Sequence, residues 1–304
     1  MKKSVQIVLA TAASAALLLA STPAFAAPRS LPAGEGLYAF ACDDDGVPAV
    51  GLVDVATGVV TEVVAAIDAS QCFSGPAYNL KDGKIYVVDL TVGFDLAVFD
   101  PVAKTLSVID SFDCTPLALA IDASGNAWVW DDADNNLKPV NLENAACGTG
   151  VGVVSGTDYF FGMAFAPNGT LYASNYDTGQ FGTISTSTGA FTPLGSSAMV
   201  ASDNSGLTFD SSGIAWVVDD DIEAEIYSAD ITDYVGTKQL SGQLDFTGDE
   251  YYSQAIVVGP VSTPSAPVLP DTGSASVALG VTGLAAAGVI ALGVALMILR
   301  RRAS

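Results

Sequence analysis

The 304-residue sequence contains no histidine. That excludes His-based catalytic triads, the commonest general base near neutral pH, and imidazole ligands for a metal. Positive charge is scarce too, with 11 Lys and Arg against 33 Asp and Glu. Lys2, Lys3 and Arg300 to Arg302 stand at the two ends, so residues 27–272 keep 6 basic residues against all 33 acidic ones, a net charge of −27. A surface of that sign repels nucleic acid and anionic lipid, and it favours cations or basic partners. Cysteine is limited to Cys42, Cys72, Cys114 and Cys147. None has a recognisable base or cationic neighbour that would make it a nucleophile. Amphipathic helical periodicity is missing from the long middle of the chain.

What is present begins at the two ends. Residues 1–26 read as a secretory signal peptide: Lys2 and Lys3 open it, Ile7 to Ala20 is apolar, and Ala24-Phe25-Ala26 is the small-x-small cleavage site. At the other end, Leu269-Pro270-Asp271-Thr272-Gly273 is followed by an uncharged run, residues 277–299, and by Arg300 to Arg302 in the tail, residues 300–304. Twenty-three residues at about 1.5 Å each suffice to cross a bilayer core of roughly 30 Å. The arginines would remain on the cytoplasmic side. Pentapeptide, apolar run and basic tail, in that order, resemble the LPXTG sorting signal of Gram-positive surface proteins. The resemblance implies that a sortase cysteine cuts between Thr272 and Gly273, and that the Thr272 carboxyl passes to an amine of the peptidoglycan precursor. It implies a secreted protein, membrane-spanning before cleavage and wall-anchored after it.

Residues 36–260, preceded by a lead over residues 27–35, are rich in Val, Thr, Gly, Tyr and Asp. Short apolar runs bounded by Gly, Asp, Asn and Ser recur there, which reads as all-β. A repeat follows the turn glycines: Asp82-Gly83-Lys84-Ile85-Tyr86, Ser124-Gly125-Asn126-Ala127-Trp128, Asn168-Gly169-Thr170-Leu171-Tyr172 and Ser212-Gly213-Ile214-Ala215-Trp216. The aromatics are spaced 42, 44 and 44, and a looser first copy puts Tyr38 a further 48 before them. One copy resolves into strands Met163–Ala166, Thr170–Ser174, Phe181–Ser185 and Ala190–Leu194. Four antiparallel strands at this period predict a β-propeller blade. The first copy lacks an inner strand, and the lone run Ala255 to Gly259 can supply it. The prediction is a five-bladed ring closed by its N- and C-terminal strands, which leaves no open sheet edge; six blades are the alternative. The pattern resembles the broad propeller superfamily of lactonase-like, quinoprotein-like and WD-repeat-like proteins, and that resemblance implies a fold rather than an activity. After it, residues 261–268 form a Pro/Ser linker that suits an extended tether.

Four candidate chemistries follow. In an exported chain four cysteines suggest two bridges. Cys42 and Cys72 fall in loop types that share one face, which favours Cys42–Cys72 and leaves Cys114–Cys147. Acidic loops follow the second strand of successive copies, at Asp43, Asp44, Asp45, then Asp131, Asp132, Asp134, then Asp219, Asp220, Asp221. These hard oxygen ligands suit calcium; their other reading is that Asp is a good turn residue. Asp158, Asp203, Asp249 and Glu250 lie in loops between blades and would ring the funnel. A pair of them about 5–10 Å apart would suit hydrolysis. The aromatic series is expected to pack between blades, whereas Trp130, Tyr159, Phe160, Tyr176, Tyr251 and Tyr252, at strand ends or loops, are the expected ligand contacts. The functional expectation is a cell-wall-anchored surface protein whose propeller is a binding or adhesion module for an extracellular ligand, cationic or glycan in nature. The alternative is a secreted hydrolase or lactonase using the funnel carboxylates.

Overall fold

A computed structural model describes residues 29–42, 48–65, 72–91, 93–152, 159–176, 178–195, 204–219, 224–244 and 252–261. The expected signal peptide, sorting motif, apolar run and basic tail lie outside them, as does the linker beyond Val261. The chain divides into two units after Thr263, and the description concerns the first.

Among its described residues this unit has five sheets and one short helical segment, residues 231–237. The first holds β1 (Glu35–Cys42), β2 (Pro48–Val53), β3 (Val60–Ala65) and the last strand, β19 (Tyr252–Pro260), in the order β19-β1-β2-β3. Antiparallel pairing of Gly36 to Phe40 with Gly259 to Ala255 closes the ring, as the sequence predicts. The second blade is β4 (Phe73–Asn79), β5 (Lys84–Asp89), β6 (Asp95–Asp100) and β7 (Thr105–Ser111). The third is β8 (Pro116–Ile121), β9 (Ala127–Asp131) and β10 (Asn136–Val140). The fourth is β11 (Phe160–Phe165), β12 (Leu171–Asn175), β13 (Phe181–Ile184) and β14 (Phe191–Pro193). The fifth is β15 (Asn204–Phe209), β16 (Ile214–Asp219), β17 (Glu225–Asp230) and β18 (Gln239–Gln243). The inner strands β19, β4, β8, β11 and β15 are neighbours in a ring around the axis.

Burial on both faces of each sheet explains the near-continuous apolar runs. Leu37, Ala39, Ile256 and Val258 of blade one meet Trp216, Val218 and Ile226 of blade five. The opposite face of blade one, with Phe40, Val50 and Val257, meets Phe73, Val87 and Phe99 of blade two. Equivalent clusters join blades two and three, three and four, and four and five. All five inter-blade cores are built from residues within 29–261, so this unit holds its own hydrophobic core, the physical requirement for folding alone.

The repeat has a local cause. In the turn between inner and second strand of blade three, Asp122 Oδ1 accepts from the Ser124 and Asn126 amides at 2.8 and 2.9 Å. Gly125 supplies the left-handed residue, φ 82°. Each inner strand also carries a register shift at its other end, as between Ser74 and Ala77 or Phe160 and Gly162. There Gly75 lies so close to the backbone of Ala118 and Leu119 that a Cβ would stand 2.5 Å from the Leu119 nitrogen. Neighbouring blades therefore approach at backbone contact, tied by a 2.6 Å bond from Ser74 Oγ to the Leu117 carbonyl.

Blade three departs from the predicted four strands. After β10 the chain turns at Asn141, and the next segment touches the sheet through single bonds, Gly148 N to Pro139 O at 2.7 Å and Val151 N to Leu137 O at 3.0 Å. Glycines at 148, 150 and 152 fit tightly against Pro139, Asn136 and Thr188, where side chains would clash. They also weaken a regular ladder. The Cys114–Cys147 disulfide holds this edge.

A central cavity as candidate functional site

The inner strands end in two tiers of equivalent residues. Ala77, Ala120, Ala164, Thr208 and Val257 pair with the repeated aromatics Tyr86, Trp128, Tyr172, Trp216 and Tyr38. Their successors Tyr78, Ile121, Phe165, Phe209 and Val258 form the next tier. Small residues in the first tier and large ones in the second enclose a cavity of about 490 Å³, lined by all five inner strands. It opens on the side of the turns between first and second strands, with exposed Leu80 and Ala123 at its edge.

Two carboxylates lie on this cavity. Asp210 is buried and committed: it accepts from Ser212 N (3.0 Å), Ser212 Oγ (2.6 Å), Ile214 N (3.0 Å) and Trp216 Nε1 (3.0 Å). Glu35 is half-buried, and both its oxygens lie 3.3 Å from the Ser211 amide, at the long end for such bonds. Thr208 Oγ1 accepts from the Val258 amide at 3.1 Å and so stitches the fifth blade to the closing strand. The walls are otherwise mostly apolar, and among the described residues no Lys or Arg lines them.

The described residues of the acidic loops belong to the opposite end. Asp89, Asp131, Asn175 and Asp219, the last residues of the second strands, are all buried. Asp89 accepts from Thr91 N and Oγ1, and Asn175 Oδ1 from Thr178 N at 3.0 Å, so this position shapes the loop. Asp131 accepts from Thr115 N (3.0 Å) and Oγ1 (2.6 Å). The Lys138 ammonium lies between Asp131 and Asp134 and bonds to both. Burial would raise the Asp131 carboxyl, but the bonds from Lys138 and Thr115 outweigh it and hold it below its ordinary value. The bonds to Asp131 and Asp134 raise Lys138. Two of the expected calcium ligands are thus committed to a cation that the chain itself supplies. Asp132 is exposed. Asp43, Asp44, Asp45, Asp220 and Asp221 lie outside the described residues, as do Asp158, Asp203, Asp249 and Glu250. Among the described residues, the grouping able to offer three metal ligands is Asp113, Cys114 and Cys147, and its two sulfurs are bonded to each other.

Cysteine pairing follows the expectation for Cys114–Cys147. Cys72 is disulfide-bonded as well, while the Cys42 side chain lies outside the described ones. The repeated aromatics pack between blades as expected: Tyr38, Tyr86, Tyr172 and Trp216 are buried and Trp128 half-buried. Trp130 and Phe160, expected as ligand contacts, are instead fully buried and meet edge to face at 5.1 Å. Strand β9 runs through Trp130 to Asp131, so Trp130 alternates onto the same inter-blade face as Trp128. The cavity tier itself was legible as a second register: Tyr78, Ile121, Phe165 and Phe209 are spaced 43, 44 and 44.

These features define an all-β, five-bladed β-propeller. A chain of a nidogen–laminin complex matches it with a TM-score of 0.51 at 14% identity, over 74% of this chain and 98% of that one. A structural-genomics protein from Bacteroides thetaiotaomicron matches with a TM-score of 0.47 at 14% identity, over 68% and 64% of the two chains. TolB from Acinetobacter baumannii matches with 0.45 at 16%, over 70% and 54%. At such identities the likeness is one of fold. No protein-family model and no curated protein sequence matches the chain.

Proposed function

We propose that this chain is an exported surface protein, anchored to a Gram-positive cell wall through Thr272, whose propeller is a binding module for an extracellular ligand. The anchoring half of the reading is supported by the order Leu269-Pro270-Asp271-Thr272-Gly273, apolar run, Arg300-Arg301-Arg302, matched by an export signal at the other end. Its processing partner is a sortase and its covalent partner peptidoglycan. The binding half is carried by the central cavity. A concave, mostly apolar space of about 490 Å³ with few polar groups is the usual form of a small-molecule site. Its buried carboxylate, Asp210, is spent on four donors and holds a turn. Apolar burial of a ligand suits such walls better than proton transfer does.

Two measurements test the two halves. Muramidase digests of whole walls, read by mass spectrometry, are expected to contain a peptide ending at Thr272 that carries a wall fragment. Uncut peptides spanning Thr272-Gly273, found only in membranes, would defeat the anchoring. A thermal-shift screen of residues 27–268 against small soluble molecules is expected to give hits that vanish in Ala123→Trp, which crowds the cavity mouth. A screen whose hits are indifferent to Ala123→Trp would remove the cavity from the reading.

A further inference from the structure

We infer that the central cavity selects a small hydrophobic cation, an ammonium group bearing alkyl or aryl substituents. This rests on the binding reading above and names its ligand class. The second tier of the cavity presents three half-buried aromatic residues, Tyr78, Phe165 and Phe209, at equivalent positions on three inner strands. Aromatic walls attract an alkylated ammonium twice over, through apolar contact with its substituents and through the negative face of the ring. Glu35 supplies the matching charge at the rim. Its long contacts to the Ser211 amide leave most of its accepting capacity unused, because an ionised carboxylate offers about four lone-pair sites.

The other groups on the cavity point the same way. Asp210 adds a second negative charge beneath the Ser211 turn, already satisfied and therefore a fixed source of potential rather than a competing ligand. With no Lys or Arg on the walls among the described residues and a net charge of −27 over residues 27–272, a carboxylate or phosphate ligand meets repulsion. Tyr78 also lines the cavity, and its hydroxyl can serve a polar substituent of the ligand. A strongly hydrated bare cation would gain little, since apolar walls replace none of its water. A quaternary or alkylated ammonium is weakly hydrated, and its cost of entry is correspondingly low.

Calorimetry of residues 27–268 with three matched probes tests this: choline, its uncharged carbon isostere 3,3-dimethylbutan-1-ol, and the anion 3,3-dimethylbutanoate. Choline is expected to bind at least tenfold more tightly than the alcohol, with no measurable heat from the anion. Glu35→Gln is expected to erase that preference by weakening choline about tenfold while leaving the alcohol unchanged. Phe209→Leu is expected to weaken choline several-fold more than the alcohol. Circular dichroism melts of both variants confirm that they fold. An alcohol that binds as tightly as choline, in a manner lost in Ala123→Trp, would overturn the cation while sparing the binding module. Failure of all three probes would overturn the inference, and the broader thermal-shift screen then decides whether the binding reading falls with it.

Discussion

Trp216 donates its indole N–H to Asp210 Oδ2 at 3.0 Å, and both side chains are buried. The same arrangement recurs with other chemistry: Tyr86 donates to Asp82 at 2.8 Å, and Tyr38 to the Pro260 carbonyl at 2.7 Å. The aromatic of the repeat thus does two jobs. Its ring fills the space between blades, and its polar end pins the turn that carries the chain out of the inner strand. Trp216→Phe keeps most of the ring and removes the donor. Asp210 retains three other donors, so the expected loss is about 1–2 kcal/mol in urea unfolding. Asp210→Ala strips the whole turn and is expected to cost more, roughly 2–4 kcal/mol.

Tyr38 makes this pinning visible in pH. Burial pushes its hydroxyl up to about 12. A phenol whose folded value lies above its unfolded value, about 10, keeps its proton in the fold and loses it on unfolding. Its contribution is therefore whole below pH 10 and is lost as pH rises toward 12. Tyr38→Phe is expected to lower stability by about 1 kcal/mol at pH 7, where the bond to Pro260 is lost. The gap to wild type should narrow between pH 10 and 12, as read by guanidinium titrations at stepped pH.

The Asp131–Lys138 pair makes the opposite prediction at the acid end. The carboxyl is held below its ordinary value, so its contribution is whole above the unfolded value near 4 and is lost as pH falls further. Lys138→Met leaves the buried Asp131 charge with only its Thr115 donors. The expected cost at pH 7 is roughly 3–5 kcal/mol. Acid unfolding, followed by tryptophan fluorescence, should begin at a higher pH than in wild type. Asp131→Asn with Lys138→Met together should recover part of the loss, because no buried charge then remains unpaired.

How much of this was legible beforehand depends on which residues carried a period. Gly83, Gly125, Gly169 and Gly213 all take φ between 75 and 88°, and that backbone demand wrote the repeat into the sequence. Ring closure followed from counting strands. The cavity did not, although Tyr78, Phe165 and Phe209 have a period of their own, because apolar residues at inner-strand ends read the same whether they face a neighbouring blade or the axis. At the ends of the second strands Asp89, Asp131 and Asp219 are buried, and backbone donors at Thr91 and Thr115 hold the first two. Trp130 and Phe160 became core because the strands run further than expected: β9 continues through Trp130 to Asp131, and β11 starts at Phe160 rather than Met163.

The edge of blade three offers a test of what replaces a missing strand. Cys114 and Cys147 close a loop of 33 residues where the sheet is held by scattered bonds. Removing both cysteines as alanines is expected to cost roughly 3–4 kcal/mol in the chain-entropy model. Reductant should produce a similar fall in wild type and almost none in the double variant beyond the share of the Cys72 disulfide. Peptide mapping under non-reducing conditions should recover Cys114 linked to Cys147, with Cys72 linked to Cys42.

Closure by β19 carries the largest consequence. Ile256 and Val258 enter the core between blades one and five, while Ala255 and Val257 enter the core between blades one and two. One strand therefore completes two of the five interfaces, and it also leaves β1 with a paired edge. A chain ending at Tyr251 loses all of this at once and is expected not to fold cooperatively, giving no thermal transition and free β1 edges prone to aggregation. The pairing is between separate ends of the chain, so continuity is not required for it. A synthetic peptide of residues 252–261, added in trans to the truncated protein, is expected to restore a cooperative melt. A peptide with Val257→Asp, which places a charge in the apolar cluster around Phe40 and Phe99, should not. If the truncated chain melts like wild type without any peptide, the ring is sealed by something other than its last strand.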